Sequence, residues 1–211
     1  MVELALFFPV LLILLSGLIE FGFLLNEYLT LMDAARNAAR FASDGLYYQW
    51  DNVKDCSTSH FYRQTACLVN QELSMEAPAI KMNDNGTPDD TTDDFLDPAD
   101  GNDIIISVFS FTRNQGITDR HPGGDENGWS YAIDLDQPSD KVSRFTSTDV
   151  TNSMVQMDSP NTGYILVEIF YNYDQVLALP WITAFLDNPL LLHAYAFMPL
   201  TSAEPTPTPS P

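Results

Sequence analysis

The chain has 211 residues, 45% hydrophobic and 12% aromatic, with 29 acidic against 9 basic side chains and a formal net charge of -20. Neutralising phosphates requires clustered Lys and Arg, so this balance argues against a nucleic-acid partner. The 10 Gly show no period of three and the aromatic content is ordinary, which excludes collagen-like and wholly disordered classes. The apolar residues gather at one end and the acids at the other. The chain is bipartite.

Leu4 to Leu25 is an apolar run interrupted by one charge, Glu20, and punctuated by Pro9, Ser16, Gly17 and Gly22. As a helix at about 1.5 Å per residue it would reach roughly 33 Å, enough to cross a bilayer core. A cleaved signal peptide would have a shorter apolar core with basic residues before it. Here the run passes instead into a segment of continued helical periodicity. Tyr28, Leu31, Ala35, Ala38 and Ala42 alternate at spacings of three and four, one apolar stripe. Glu27, Thr30, Asp33, Arg36, Asn37 and Arg40 fill much of the rest, with Asp33 one turn from Arg36 and Asn37. Gly45 is a natural stop. Residues 1–44 therefore read as one helix of about 40 residues, a membrane anchor or helical core in its first half.

The two carboxylates of the greasy half call for a reason, because an ionisable group near a bilayer centre costs about 2.5–3.5 kcal/mol. Glu3 lies near the helix start, where the positive end of the dipole favours it. Glu20 reads as a membrane-exit position. Pro9 removes a backbone donor and predicts a kink, while Gly17 and Gly22 allow another helix to approach closely.

The body, residues 45–203, reads as an acidic head. Cys56 and Cys67 are the only cysteines, with ten residues between them. The three scattered His give no zinc spacing and there is no C-x-x-C, so a disulfide in an oxidising compartment is preferred over two buried free thiols. Helical propensity returns over 60–76 and 148–157. Strand patterning covers 103–112, 129–135, 164–173 and 190–198. Asp84–Asp103 holds eight Asp in 20 residues and no basic residue. This is either a solvated acidic loop or a calcium site, with Asp89, Asp93 and Asp97 as ligands. It lacks the full EF-hand pattern. Asn85-Gly86-Thr87 is a glycosylation sequon. Residues 177–192 are greasy for a loop and offer Trp181 and Phe185 either as cover for the sheet or as a contact for a neighbouring subunit. Residues 204–211 (E-P-T-P-T-P-S-P) form an extended Pro/Thr tail. The fold class expected is α+β: a long N-terminal helix packed on an antiparallel sheet of three to five strands. No catalytic motif emerges, which argues against an enzyme.

Met1–Ala42 resembles the N-terminal segment of TadE-like pilins of the tight-adherence (Tad) type IV pilus. The resemblance is carried by Val2-Glu3-Leu4-Ala5-Leu6-Phe7-Phe8-Pro9, by Gly17-Leu18-Ile19-Glu20-Phe21-Gly22, and by Ala34-Ala35-Arg36-Asn37-Ala38-Ala39-Arg40. It implies a structural subunit that polymerises through this helix into an extracellular filament for surface adhesion. Before assembly it would be anchored in the inner membrane and handled by a prepilin peptidase and the pilus secretion machinery. It also implies that Glu3 pairs with the N-terminal amine of a neighbouring copy, setting axial register, and that Pro9 marks a bend. A basic leader ending in Gly does not precede Val2-Glu3, so the resemblance implies a chain that begins near or after the processing site. A minor pilus component is the first alternative. The second, of another class, is a single-helix surface protein with a calcium-dependent head.

Overall fold

The computed structural model describes residues 2–44, 61–76, 80–91, 93–122 and 126–200. Helix α1 (Val2–Ser43) runs unbroken through Pro9, so the expected kink does not interrupt it. Near its end Asp33 and Arg36 pair on the exposed side at 3.4 Å. Gly45 and the tail lie outside the described residues.

The sheet has five strands: β1 (Asp103–Thr112), β2 (Gly116–His121), β3 (Trp129–Ser130), β4 (Thr162–Tyr173) and β5 (Leu190–Leu200). All pairs are antiparallel in the order β2-β1-β4-β5, with β3 joining β1 beside Ile105 and Ile106. The strand expected over 129–135 is corrected. Only Trp129 and Ser130 pair, because the Ser130 side chain accepts from the Ile133 amide and caps a helical turn, α3 (Tyr131–Asp134). Such a cap draws the backbone away from the ladder. Gly116 enters β2 at φ 77, and a Cβ there would lie 2.5 Å from Thr151. That left-handed corner needs glycine.

Both faces of the sheet are covered. On one, Ile104, Ile106, Ile165, Val167, Ile169 and Tyr171 pack against α1 and α2 (Phe61–Glu76). The expected stripe is there, since Leu31, Ala35, Ala38 and Ala42 are buried, and Ala34 and Ala39 widen it. Small side chains let the helix axis lie close to the strands. On the other face Phe109, Phe111, Tyr164 and Leu166 pack against Val150 and Met154 of α4 (Ser147–Gln156). A strand buried on both faces has no polar alternation to keep, which is why β4 reads as a nearly continuous apolar run.

Arg120 pins the second layer. Its guanidinium donates to Glu126 at 2.6 Å, the Phe145 carbonyl at 2.9 Å and Ser107 at 3.0 Å, and it lies over the Phe109 ring. Fully buried Glu168 accepts from the Arg144 amide and faces His193 Nε2 at 2.9 Å. The loop that carries Arg144 and Phe145 is thereby held down on the sheet.

Helix α4 starts in a capping box between Thr146 and Asp149. Thr146→Ala is expected to cost about 1 kcal/mol in urea unfolding, since it removes the cap acceptor. Hydrogen bonds from the Thr146 side chain and backbone hold the Asp149 carboxyl below its ordinary range. A depressed carboxylate stabilises fully above its unfolded pKa of about 4, and that contribution fades as pH falls through the depressed value.

Candidate assembly surface

The N-terminal half of α1 projects beyond the sheet. Phe7, Phe8, Leu11, Leu14, Leu18 and Phe21 are all exposed, in a helix whose most apolar stretch has a mean hydropathy of 2.3. That helix is long and apolar enough to cross a membrane. Gly17 and Gly22 have nothing within 4 Å of a Cβ built on them, so both open outward. Glu3 falls in the first turn of α1, and its side chain lies outside the described residues.

Glu20 does not stand alone at the edge of the apolar run. It is only 4% exposed, although its helix neighbours Ile19 and Phe21 are open. Its Oε1 accepts from the Tyr173 hydroxyl at 2.7 Å and the Val176 amide at 2.9 Å, and its Oε2 accepts from the Leu177 amide at 2.8 Å. The chain leaving β4 thus folds over α1 and closes on this carboxylate. Burial, and then the Glu20 carboxylate itself, push the Tyr173 phenol well above its ordinary range, so it remains a donor. A charged acceptor shared by three donors is a strong arrangement, and it serves the fold of the single subunit. The sequence alone placed Glu20 at a membrane exit without partners, and the structure supplies them from β4 and the loop that follows it.

Glu27, expected on the polar side of α1, is instead buried beside Tyr171. Two turns of α1 therefore carry inward-facing carboxylates that meet tyrosines of β4. The sequence signal for this was the spacing of seven, which returns a side chain to the same helix face.

The segment between β4 and β5 runs down the flank of α1. Its short helix α5 (Pro180–Thr183) carries Trp181, whose indole N–H donates to the Ser16 hydroxyl at 3.2 Å. Phe185, four residues on, is 88% exposed. The structure brings Trp181 to the apolar helix, and Phe185 points away from the subunit's own core.

The acidic segment is an irregular series of turns closed by an isolated bridge between Asn83 and Phe95. Asp97 Oδ2 accepts from the Asn83 side chain at 2.8 Å, while Oδ1 accepts from the Ala99 amide and caps a 3₁₀ turn, Pro98–Asp100. Asp93 accepts from Thr87 and Asn85. Asp89 joins neither set of hydrogen bonds. Among the described residues no group of three His, Cys, Asp or Glu side chains is arranged to hold a metal. Crowding raises the Asp94 carboxyl above its usual pKa, chiefly through desolvation and then the charges of Asp93, Asp84 and Asp90. Cys67 lies on α2 and is not a free thiol; Cys56, its expected partner, falls outside the described residues.

Residues 1–40 match the family of TadE-like proteins. The matched segment is nearly all of α1 and leaves the sheet outside it. No curated protein and no solved structure gives a significant match.

Proposed function

We propose that the protein is a structural subunit of a Tad-type pilus, polymerising through α1 with the acidic head turned outward. The observation that carries this reading is the division of α1 itself. Its second half is buried by the head, and its first half, which lies within the TadE-like match, leaves a row of Leu, Ile and Phe uncovered. Water does not tolerate so large an apolar surface, so lipid or other helices must cover it. Before assembly the helix anchors the chain in the membrane. On assembly, copies of the helix replace lipid around one another, with Gly17 and Gly22 as the close-approach points. A family of pilus components is structural in character, and the reading assigns no catalysis. The protein would work outside the inner membrane, served by a prepilin peptidase and the secretion machinery, with Cys56 and Cys67 joined there as a disulfide.

Glu3 is assigned the register role: a carboxylate near the helix start that pairs with the N-terminal amine of the next copy. Glu3→Ala is expected to abolish most filament yield from sheared cells while head stability, followed by urea unfolding in detergent, stays unchanged. Normal filament yield would refute the assignment. If native cells yield filaments devoid of this chain, it is an accessory component and not the polymer's main subunit.

A further inference from the structure

The segment between β4 and β5 has a place and a composition that the assembly reading leaves unused. From Asp174 to Pro189 it contains two charges, Asp174 at its start and Asp187 near its end, in a protein that carries 29 acidic side chains. Val176, Trp181, Phe185 and Leu186 are all solvent-exposed in the single subunit, as is Leu191 at the start of β5. Their height along α1 is set by two anchors, the Trp181 indole on Ser16 and the Glu20 carboxylate on Val176 and Leu177.

Those anchors correspond to a definite depth. From Val2 to Glu20 the helix rises about 27 Å, close to the roughly 30 Å of a hydrocarbon core. A helix inserted that far leaves Glu20 at the boundary, where the loop backbone already satisfies it. Ser16 is one turn deeper, about 6 Å inside. Trp181 then stands at the level where tryptophan concentrates in membrane proteins, its ring among lipid and its N–H hydrogen-bonded.

We propose that this loop is a membrane foot: in the unassembled subunit Trp181, Phe185 and Leu186 insert into the interfacial layer of the bilayer beside α1. The partner is lipid, engaged by apolar and aromatic side chains without basic residues, so binding does not depend on anionic headgroups. The foot fixes the depth and tilt of α1, and it shields Glu20 from hydrocarbon. This rests on the membrane-anchored stage of the proposed function.

The test uses the full chain in lipid nanodiscs at one copy per disc, prepared with phosphatidylcholine or with the same lipid brominated along the acyl chains. Native protein is compared with Trp181→Phe, so that Trp50 and Trp129 stay in place and the difference spectrum belongs to Trp181. The expected result is loss of most of that difference emission with bromines near the headgroups and a smaller loss with bromines near the chain ends. A second variant, Leu12→Trp, reports on the helix. Quenching of the tryptophan at position 12 without quenching of Trp181 overturns the foot and leaves the anchor standing. Quenching of neither overturns both. If Trp181 becomes shielded only when several copies share a disc, the loop is a contact between subunits and the lipid proposal fails.

Discussion

Glu20→Ala is expected to release the β4–β5 loop and to lower head stability by about 3 kcal/mol. Each donor left without a buried acceptor costs about 1–3 kcal/mol, and the substitution strands the Tyr173 hydroxyl and the amides of Val176 and Leu177. The sum is not reached, because a freed loop can swing into water and hydrate its own amides. Hydrogen exchange in detergent should show those two amides speeding up strongly while the centre of β4 stays protected. Tyr173→Phe removes a single donor and should cost about 1 kcal/mol. Unchanged exchange at Val176 and Leu177 in the Ala variant would show that the carboxylate does not hold the loop.

Ala39→Leu should destabilise by a comparable amount, about 1–3 kcal/mol, for the opposite reason. Ala39 is fully buried in a stripe of alanines that sets how near α1 lies to its neighbours. Added methylenes there must push the helix away from the core or force strained rotamers. The control is Gly22→Ala on the same helix. Nothing lies within 4 Å of its added methyl, and a helical glycine is replaced by a better helix former, so the head should be unaffected or slightly firmer. Equal losses in the two variants would mean that the helix is not packed as described. A filament defect confined to Gly22→Ala would instead locate the inter-helix contact.

The long helix and three of the strands were legible because their side chains follow one rule throughout. The stripe from Leu31 to Ala42 has helical period, and β4 is apolar because both its faces are covered. β2 was illegible: Gly-Ile-Thr-Asp-Arg-His has neither alternation nor β-branched density, and it is a strand because β1 offers it an edge. Trp129–Leu135 alternates as a strand should, yet the Ser130 side chain diverts it into a helical turn, a local hydrogen bond overriding a pattern. Glu20 was noticed for its cost, but its partners were not legible. Its three donors lie more than 150 positions away, and no local spacing announces them. In the acid-rich segment, composition left a solvated loop and an ion site open and said nothing of the turns that Asp93 and Asp97 close.

The Glu20 contact, together with the buried alanine stripe, makes α1 and the sheet a single stiff piece from Ser16 to Ser43. A stiff shaft transmits rotation. Successive residues on a helix are about 100° apart, so a slip of one residue in how α1 meets a neighbour would swing the whole head about a quarter of a turn around the shaft. In the proposed filament, the face the sheet shows to the outside would therefore be chosen by contacts deep in the greasy half. On that proposal, substitutions at Gly17 or Gly22, far from the sheet, would change which acidic surface points outward without altering a single residue on it.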